Sequence, residues 1–408
     1  MIGTTGTPED SMIDPANPRT QLQARKISLF KKLAFLGVVL AVFCLLAEGF
    51  LIVLGISFPI LYQPDDFCAT RLRPRLNVRY TEEGNAVVQT NSNSFRGEET
   101  SKVKPEATYR IAIVGDSFCE GIQVDQDKNY CSILEQILTK RKFQTEVLNF
   151  GVSGFGTAQE YEMLHHYVLD YEPDLVILSM FLGNDVGDNS REINTGQVKP
   201  YYELVDGQLK LDRSFTSDAR FVNAKSWMTQ AKAALINSSR GIQLLNKCYS
   251  RFRHQNQPAS NIGIGLNPKL YQPPVNDKWR QAWRVTEQLV KAFDRKCSLA
   301  GADCLVFTVS NPIQVHPDPE VRNQFKIDHG LASLFYPDDR LSRFCNANNI
   351  ALLPLARKLL ADVQDAESSV YYHGFSNTEM GSGHWNEQGH QRAAELLAEY
   401  LLKNTLQR

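Results

Sequence analysis

Four short polar segments could do chemistry: Gly115-Asp116-Ser117, Asn149-Phe150-Gly151, Gly183-Asn184-Asp185 and Gly383-His384-Trp385-Asn386. Together they offer the parts of nucleophilic acyl transfer. A serine hydroxyl is a weak nucleophile at its own pKa and needs an adjacent base. A histidine, whose ordinary pKa is roughly 6.5, can take the Ser117 proton and return it to a leaving group. The oxyanion that forms needs preorganised donors, and Ser117 N–H, Gly151 N–H and the Asn184 amide are the candidates. Glycine at 151 would admit close backbone approach. Asp116 and Asp185 are expected to fix turns beside the nucleophile, with Trp385 as a further supporting residue. Each segment also has a plain reading as a helix cap, an Asx turn or a loop histidine.

The elements that must position these residues alternate in type. Arg110–Gly115, Glu146–Phe150 and Asp174–Phe181 read as buried strands ending at the first three polar segments. Ala302–Ser310 and Ile350–Pro354 add a fourth and a fifth. Helical spacing intervenes at Asn129–Lys142, through Tyr161, Leu164 and Val168, at Trp279–Ala300, at Asp338–Asn346 and at Gln388–Leu402. This alternation predicts an α/β fold, a three-layer α/β/α sandwich with a five-stranded parallel sheet buried on both faces. An insertion at about 190–278 is expected to hold a hairpin, Tyr201–Leu211, turned at Asp206-Gly207, and a helical stretch from about Asn223 to Arg253. It leaves from the strand edge where ligands bind, so a wall or lid over the site and mere structural padding are both open.

In order and placement, the four segments resemble the blocks of the SGNH (GDSL-type) hydrolase superfamily, with Ser117 in GDS, Gly151 after the second strand, Asn184 in GND and His384 in HWN. The layout is similar to that of a membrane-anchored bacterial subgroup, including Asn93-Ser94-Phe95-Arg96-Gly97 ahead of the first strand. The resemblance implies a flavodoxin-like SGNH fold and ester hydrolysis through Ser117 and His384. One departure is plain. The family places an aspartate two or three residues before the histidine, where this chain has Ser382 and Gly381. Glu379 is a candidate replacement, as is a carboxylate elsewhere or a backbone carbonyl orienting the ring.

Composition narrows the class. The 408 residues carry 44 Lys+Arg against 45 Asp+Glu, a net charge of −1 that offers no footprint for nucleic acid. The apolar run Leu33–Ser57, broken only by Glu48, exceeds the roughly 20 residues that a spanning helix needs. It is too long for a signal-peptide core and reads as an uncleaved anchor. Arg19, Arg25, Lys26, Lys31 and Lys32 precede it closely, whereas only Arg71 follows, which predicts a cytoplasmic N-terminus and an exported remainder. Glu48 would be tolerated by pairing or snorkelling near a helix end, or would contact a partner helix. The expected organisation is a disordered cytoplasmic tail over 1–32, a transmembrane signal anchor over 33–57, a linker or N-terminal extension over 58–108 and the hydrolase-like domain over 109–408. Seven of the eight cysteines lie outside the span, and their pairing is not readable.

No cofactor and no metal site is expected: the segment 151–156 lacks a Walker lysine and the correct glycine spacing, and His165-His166 has no suitably spaced carboxylate partner. His390 is expected on a helix surface and Cys119 in core packing. The function expected is a membrane-anchored extracytoplasmic esterase, facing the periplasm or the outer side of the cell membrane. Its substrates would be small acyl (acetyl-like) esters on carbohydrate or cell-envelope material, cleaved through an acyl-Ser117 intermediate. The alternatives are an O-acyltransferase that modifies an envelope polysaccharide, with a membrane partner delivering the acyl group, and a binding protein that has lost the triad acid.

Overall fold

The computed structural model describes residue 3, residues 28–253 and residues 267–406. The expected tail up to residue 27, with Arg19, Arg25 and Lys26, and the loop after Arg253 lie outside the described residues. The chain separates into two units, Met1–Gly49 and Phe50–Arg408.

The apolar run forms helix α1 (Leu29–Val53) of 25 residues, long and apolar enough to cross a membrane. It sits four residues earlier than the run of apolar letters. Leu29 to Lys32 are good helix formers and join it, while Gly55, with φ of +70°, turns the chain out of the helix.

Beyond α1, four short strands precede the main sheet: β1 (Tyr62–Asp65), β2 (Ala69–Leu72), β3 (Asn77–Tyr80) and β4 (Ala86–Gln89). They pair as two antiparallel hairpins, β1 with β2 and β3 with β4. The segment expected as a linker or extension is therefore folded. The main sheet comprises β5 (Tyr109–Gly115), β6 (Thr145–Gly151), β7 (Leu175–Met180), β10 (Asp303–Thr308) and β11 (Leu352–Pro354), all parallel, in the order β11-β10-β7-β5-β6. Counted along the chain this is the 2-1-3-4-5 order of flavodoxin-like sheets, whose switch point lies beside the first strand. The small hairpin β8 (Tyr201–Val205) and β9 (Gln208–Asp212) belongs to the insertion, with Asp206 and Gly207 both at positive φ as its two-residue turn requires.

Alternation along the strands divides the core into two layers. Ala112, Val114, Val176, Leu178 and Val306 pack with α4 (Thr157–His166), α9 (Asp277–Leu299) and α11 (Tyr336–Ala347). Ile111, Ile113, Ile177, Leu305 and Phe307 pack with α3 (Tyr130–Lys140), α12 (Ala356–Asp365) and α13 (Glu387–Asn404). The remaining helices are α2 (Ser117–Glu120), α5 (Leu182–Asp188), α6 (Ala219–Lys225), α7 (Trp227–Asn237), α8 (Arg240–Arg253) and α10 (Pro319–His329). The helical stretch expected across the insertion is thus three helices, broken at Ser226 and at Ser238-Ser239. Ser226 caps α7 with its hydroxyl instead of continuing α6. None of the eight cysteines is in a disulfide.

Candidate active site

Ser117 opens α2 at the carboxyl end of β5, the first strand of the main sheet along the chain. Asp116 caps this turn, its carboxylate accepting the Phe118 N–H at 2.9 Å. Burial pushes the Asp116 carboxyl up to about 6. The Ser117 hydroxyl donates to His384 Nε2 at 2.8 Å. His384 Nδ1–H donates to Glu83 Oε2 at 2.5 Å, and the His384 backbone N–H reaches Glu83 Oε1 at 2.8 Å. Burial raises the Glu83 carboxyl, but the ring hydrogen bond, the ring charge and the backbone bond from His384 outweigh it and hold the group below its ordinary range.

Glu83 thus occupies the place assigned to a carboxylate near His384, and Glu379 does not. Residues 374–383 form a loop closed by the antiparallel bridge His373–Trp385, which leaves Glu379 exposed, its carbonyl accepting from Ser382 N–H. Glu83 instead lies in the turn between β3 and β4. The histidine loop holds that turn through Asn377, which accepts from Gly84 N–H at 2.9 Å and donates to the carbonyls of Thr81 at 3.1 Å and Gly84 at 2.9 Å. Gly383 is what lets the two loops meet. Its φ is +75°, and a Cβ there would stand 2.2 Å from Glu83 Oε1. No local motif marks Glu83, because its relation to His384 exists only after a hairpin from the start of the domain has docked. The one available signal was the missing aspartate itself.

The expected glycine also moves. Gly151 packs beneath α2, where a Cβ would stand 2.2 Å from Glu120 N, and its N–H donates to Asn149 Oδ1 at 2.9 Å. Its role is close packing, and its N–H is occupied. Three residues on, Gly154 lines the same cleft as Ser117, Asn184 and His384, at φ of +79° with open space where a side chain would be. Asn184, in the first turn of α5, hydrogen-bonds Asp116, while its Oδ1 is buried without a partner among the described residues.

Asp185 is buried beneath this layer. Its carboxyl is pushed well up by burial and by the neighbouring Glu160, Asp116 and Asp188. Trp385 is fully buried and donates from Nε1 to Ser310 Oγ at 3.1 Å. Ser310 in turn lies 3.0 Å from His373 Nε2, and His373 Nδ1 is 2.9 Å from the Gly383 carbonyl. Among the described residues there are therefore two Ser–His pairs at dyad distance. Ser310 and His373 are 0% and 1% exposed and are absent from the cleft lining, and burial lowers His373 to about 3. That pair braces the loop carrying His384, whereas Ser117 and His384 open onto the cleft. His390, expected at a helix surface, is buried against Tyr130, whose N–H approaches its Nδ1 at 3.4 Å. Cys119 is core, as expected.

The cleft above Ser117 measures about 680 Å³. Its walls are largely apolar: Phe58, Ile60 and Tyr62 from the segment after α1, Tyr80 from β3, and Ile122 and Phe181 from the sheet edge. The insertion also contributes, through Asn246 and Lys247 of α8. Lys247 pairs with Glu82, next to Glu83, and stands over the Phe58 ring at 5.4 Å.

No family model and no curated protein sequence matches the chain. Among solved structures, it is similar to the acetyl xylan esterase AlAXEase at 13% identity, covering 72% of this chain and 99% of that one, with a TM-score of 0.37. It is also similar to LAE5, an alpha/beta hydrolase enzyme from the metagenome of Lake Arreo, Spain, at 13% identity, covering 72% and 97%, with a TM-score of 0.36. A catalytic mutant of Axe2, an acetylxylan esterase from Geobacillus stearothermophilus, aligns at 9% identity over 72% and 93%, with a TM-score of 0.34.

Proposed function

We propose that the chain is a membrane-anchored ester hydrolase of SGNH type, acting through an acyl-Ser117 intermediate. The observation that carries this reading is the continuous relay Ser117 Oγ–His384 Nε2 and His384 Nδ1–Glu83 Oε2, at 2.8 and 2.5 Å. Glu83 fixes the tautomer that leaves Nε2 free to take the Ser117 proton, and it stabilises the imidazolium that results. As Ser117 Oγ attacks the ester carbonyl, the oxyanion is held by Ser117 N–H, Gly154 N–H and one hydrogen of the Asn184 amide. His384 Nε2–H then protonates the departing alkoxide. In the second half, His384 Nε2 takes a proton from water as it attacks the acyl carbonyl, and then returns that proton to Ser117 Oγ as the acid product leaves. The carboxylate whose absence motivated a binding-only reading is supplied by Glu83.

With α1 as an anchor and residues 58–408 exported, the natural ester would lie on carbohydrate or other cell-envelope material. A sugar hydroxyl replacing water in the second half would make the same machinery an O-acyltransferase. The test is turnover of p-nitrophenyl acetate by the full chain, compared with Ser117→Ala and His384→Ala. Nitrophenol release well above both variants is expected; equal rates in all three would refute the reading.

A further inference from the structure

We propose that the α7–α8 hairpin is a membrane-binding surface whose exposed apolar face lies among the headgroups of an anionic phospholipid bilayer. Trp227, Met228 and Leu235 on α7 and Leu245, Tyr249 and Phe252 on α8 are large, apolar or aromatic, and exposed. On α8 the spacing of four and then three residues places its trio on one helix face. The opposite side of the hairpin is anchored inward by Ala233, Ile236 and Gln243, all buried. A folded domain rarely leaves so many large apolar side chains bare on one hairpin unless something covers them.

Two observations identify the cover as lipid. The first is charge. Residues 227–253 contain Lys232, Arg240, Lys247, Arg251 and Arg253 and no acidic residue, so that even with Lys247 turned to Glu82 at the cleft the stretch stays positive in a chain whose overall net charge is −1. Basic residues beside Trp, Tyr, Phe and Leu make up the composition of a helix that lies in an anionic interface. The second is tethering. Phe58 N–H donates to Gln243 Oε1 at 2.9 Å, Ile60 exchanges two hydrogen bonds with Asn237 at 2.8 and 2.9 Å, and Arg240 Nη1 donates to the Ile56 carbonyl at 3.3 Å. Ile56 follows the end of α1 at Val53 by three residues, at most about 11 Å of chain. The hairpin is therefore bound to the segment that leaves the span, and the proposal rests on the reading of α1 as that span.

The chain carries its own reporter. Of its four tryptophans, Trp227 is 78% exposed, whereas Trp279, Trp283 and Trp385 are 5%, 0% and 0% exposed. The experiment uses the full chain in phosphatidylcholine–phosphatidylglycerol vesicles, with and without bromine on the acyl chains. Brominated lipid is expected to quench part of the tryptophan emission, and Trp227→Phe is expected to abolish that quenching. Tyr249→Glu with Phe252→Glu should reduce it by about twofold or more, with thermal unfolding unchanged. Emission indifferent to bromine, or quenching that survives Trp227→Phe, would overturn the proposal. So would quenching that depends on the protein-to-lipid ratio, the sign of a second copy on this face. Retention on vesicles after an alkaline wash reads the anchor separately, and its loss removes both anchor and proposal. Neither result depends on ester turnover.

Discussion

Glu83 and His384 stand 301 positions apart in the chain, yet their side chains meet at 2.5 Å. The carboxylate comes from a hairpin turn ahead of the main sheet and the imidazole from a loop ahead of the last helix. Two loops that share no sheet are held in register by Asn377 and by the absence of a side chain at Gly383.

Removing that carboxylate's charge tests its role directly. Glu83→Gln keeps the shape and releases the tautomer, and kcat is expected to fall by about 10⁴-fold, as in the serine-protease template. Glu379→Gln should leave kcat unchanged. Steady-state rates on p-nitrophenyl acetate check both, and a wild-type rate from Glu83→Gln would exclude it as the orienting acid.

For the oxyanion, Asn184→Ala is expected to lower kcat by about 10²- to 10³-fold with little change in KM, because its amide acts on charge that develops only in the transition state. A rise in KM at constant kcat would assign Asn184 to ground-state binding instead.

The apolar walls of the cleft predict a chain-length preference. Each methylene buried against Phe58, Ile60 or Ile122 is worth about 0.8 kcal/mol, close to fourfold in kcat/KM. Activity on p-nitrophenyl esters should therefore climb from acetate to butyrate and beyond. Ile60→Asp should flatten the climb. A wild-type series that falls from acetate onward would show that the walls serve the alcohol side of the ester.

Stability should carry its own pH signature. Asp338 is buried, accepts from Gln314 Nε2 at 2.6 Å, and is pushed by burial from 3.8 up to about 6. With the folded value above the unfolded one, its contribution is complete below about 4 and is lost as pH rises through about 6. Asp338→Asn keeps the Gln314 bond and can donate to Thr308, so it should raise stability at pH 8 by on the order of 3 kcal/mol and leave pH 4 nearly unchanged. Denaturant midpoints at the two pH values check this, and an equal shift at both would contradict it.

The sheet was legible in the sequence because each of its strands is a short run of apolar residues between turn signals, and burial on both faces leaves that pattern undisguised. Helices α10 and α12 are harder to read, because one is amphipathic only weakly, with no buried residue, and the other follows directly on a strand. Ser117, Asn184 and His384 were legible because each sits in a polar triplet at an element boundary. Gly151 and Gly154 lie in one glycine-rich turn, and only packing distinguishes the glycine beneath α2 from the glycine on the cleft. Glu83 lies among residues with no strong pattern, and its importance is wholly tertiary.

The hairpin that carries Glu83 also makes the relay divisible. Every residue of the main sheet, with Ser117, Asn184 and His384, lies after residue 108, while the acid sits before it. A cut in the loop between β4 and β5 would leave the nucleophile and base on one fragment and their acid on another, joined only by docking. With the hydrolase proposed above, activity would then become a measure of association, expected to fall on dilution and to return when the missing fragment is added.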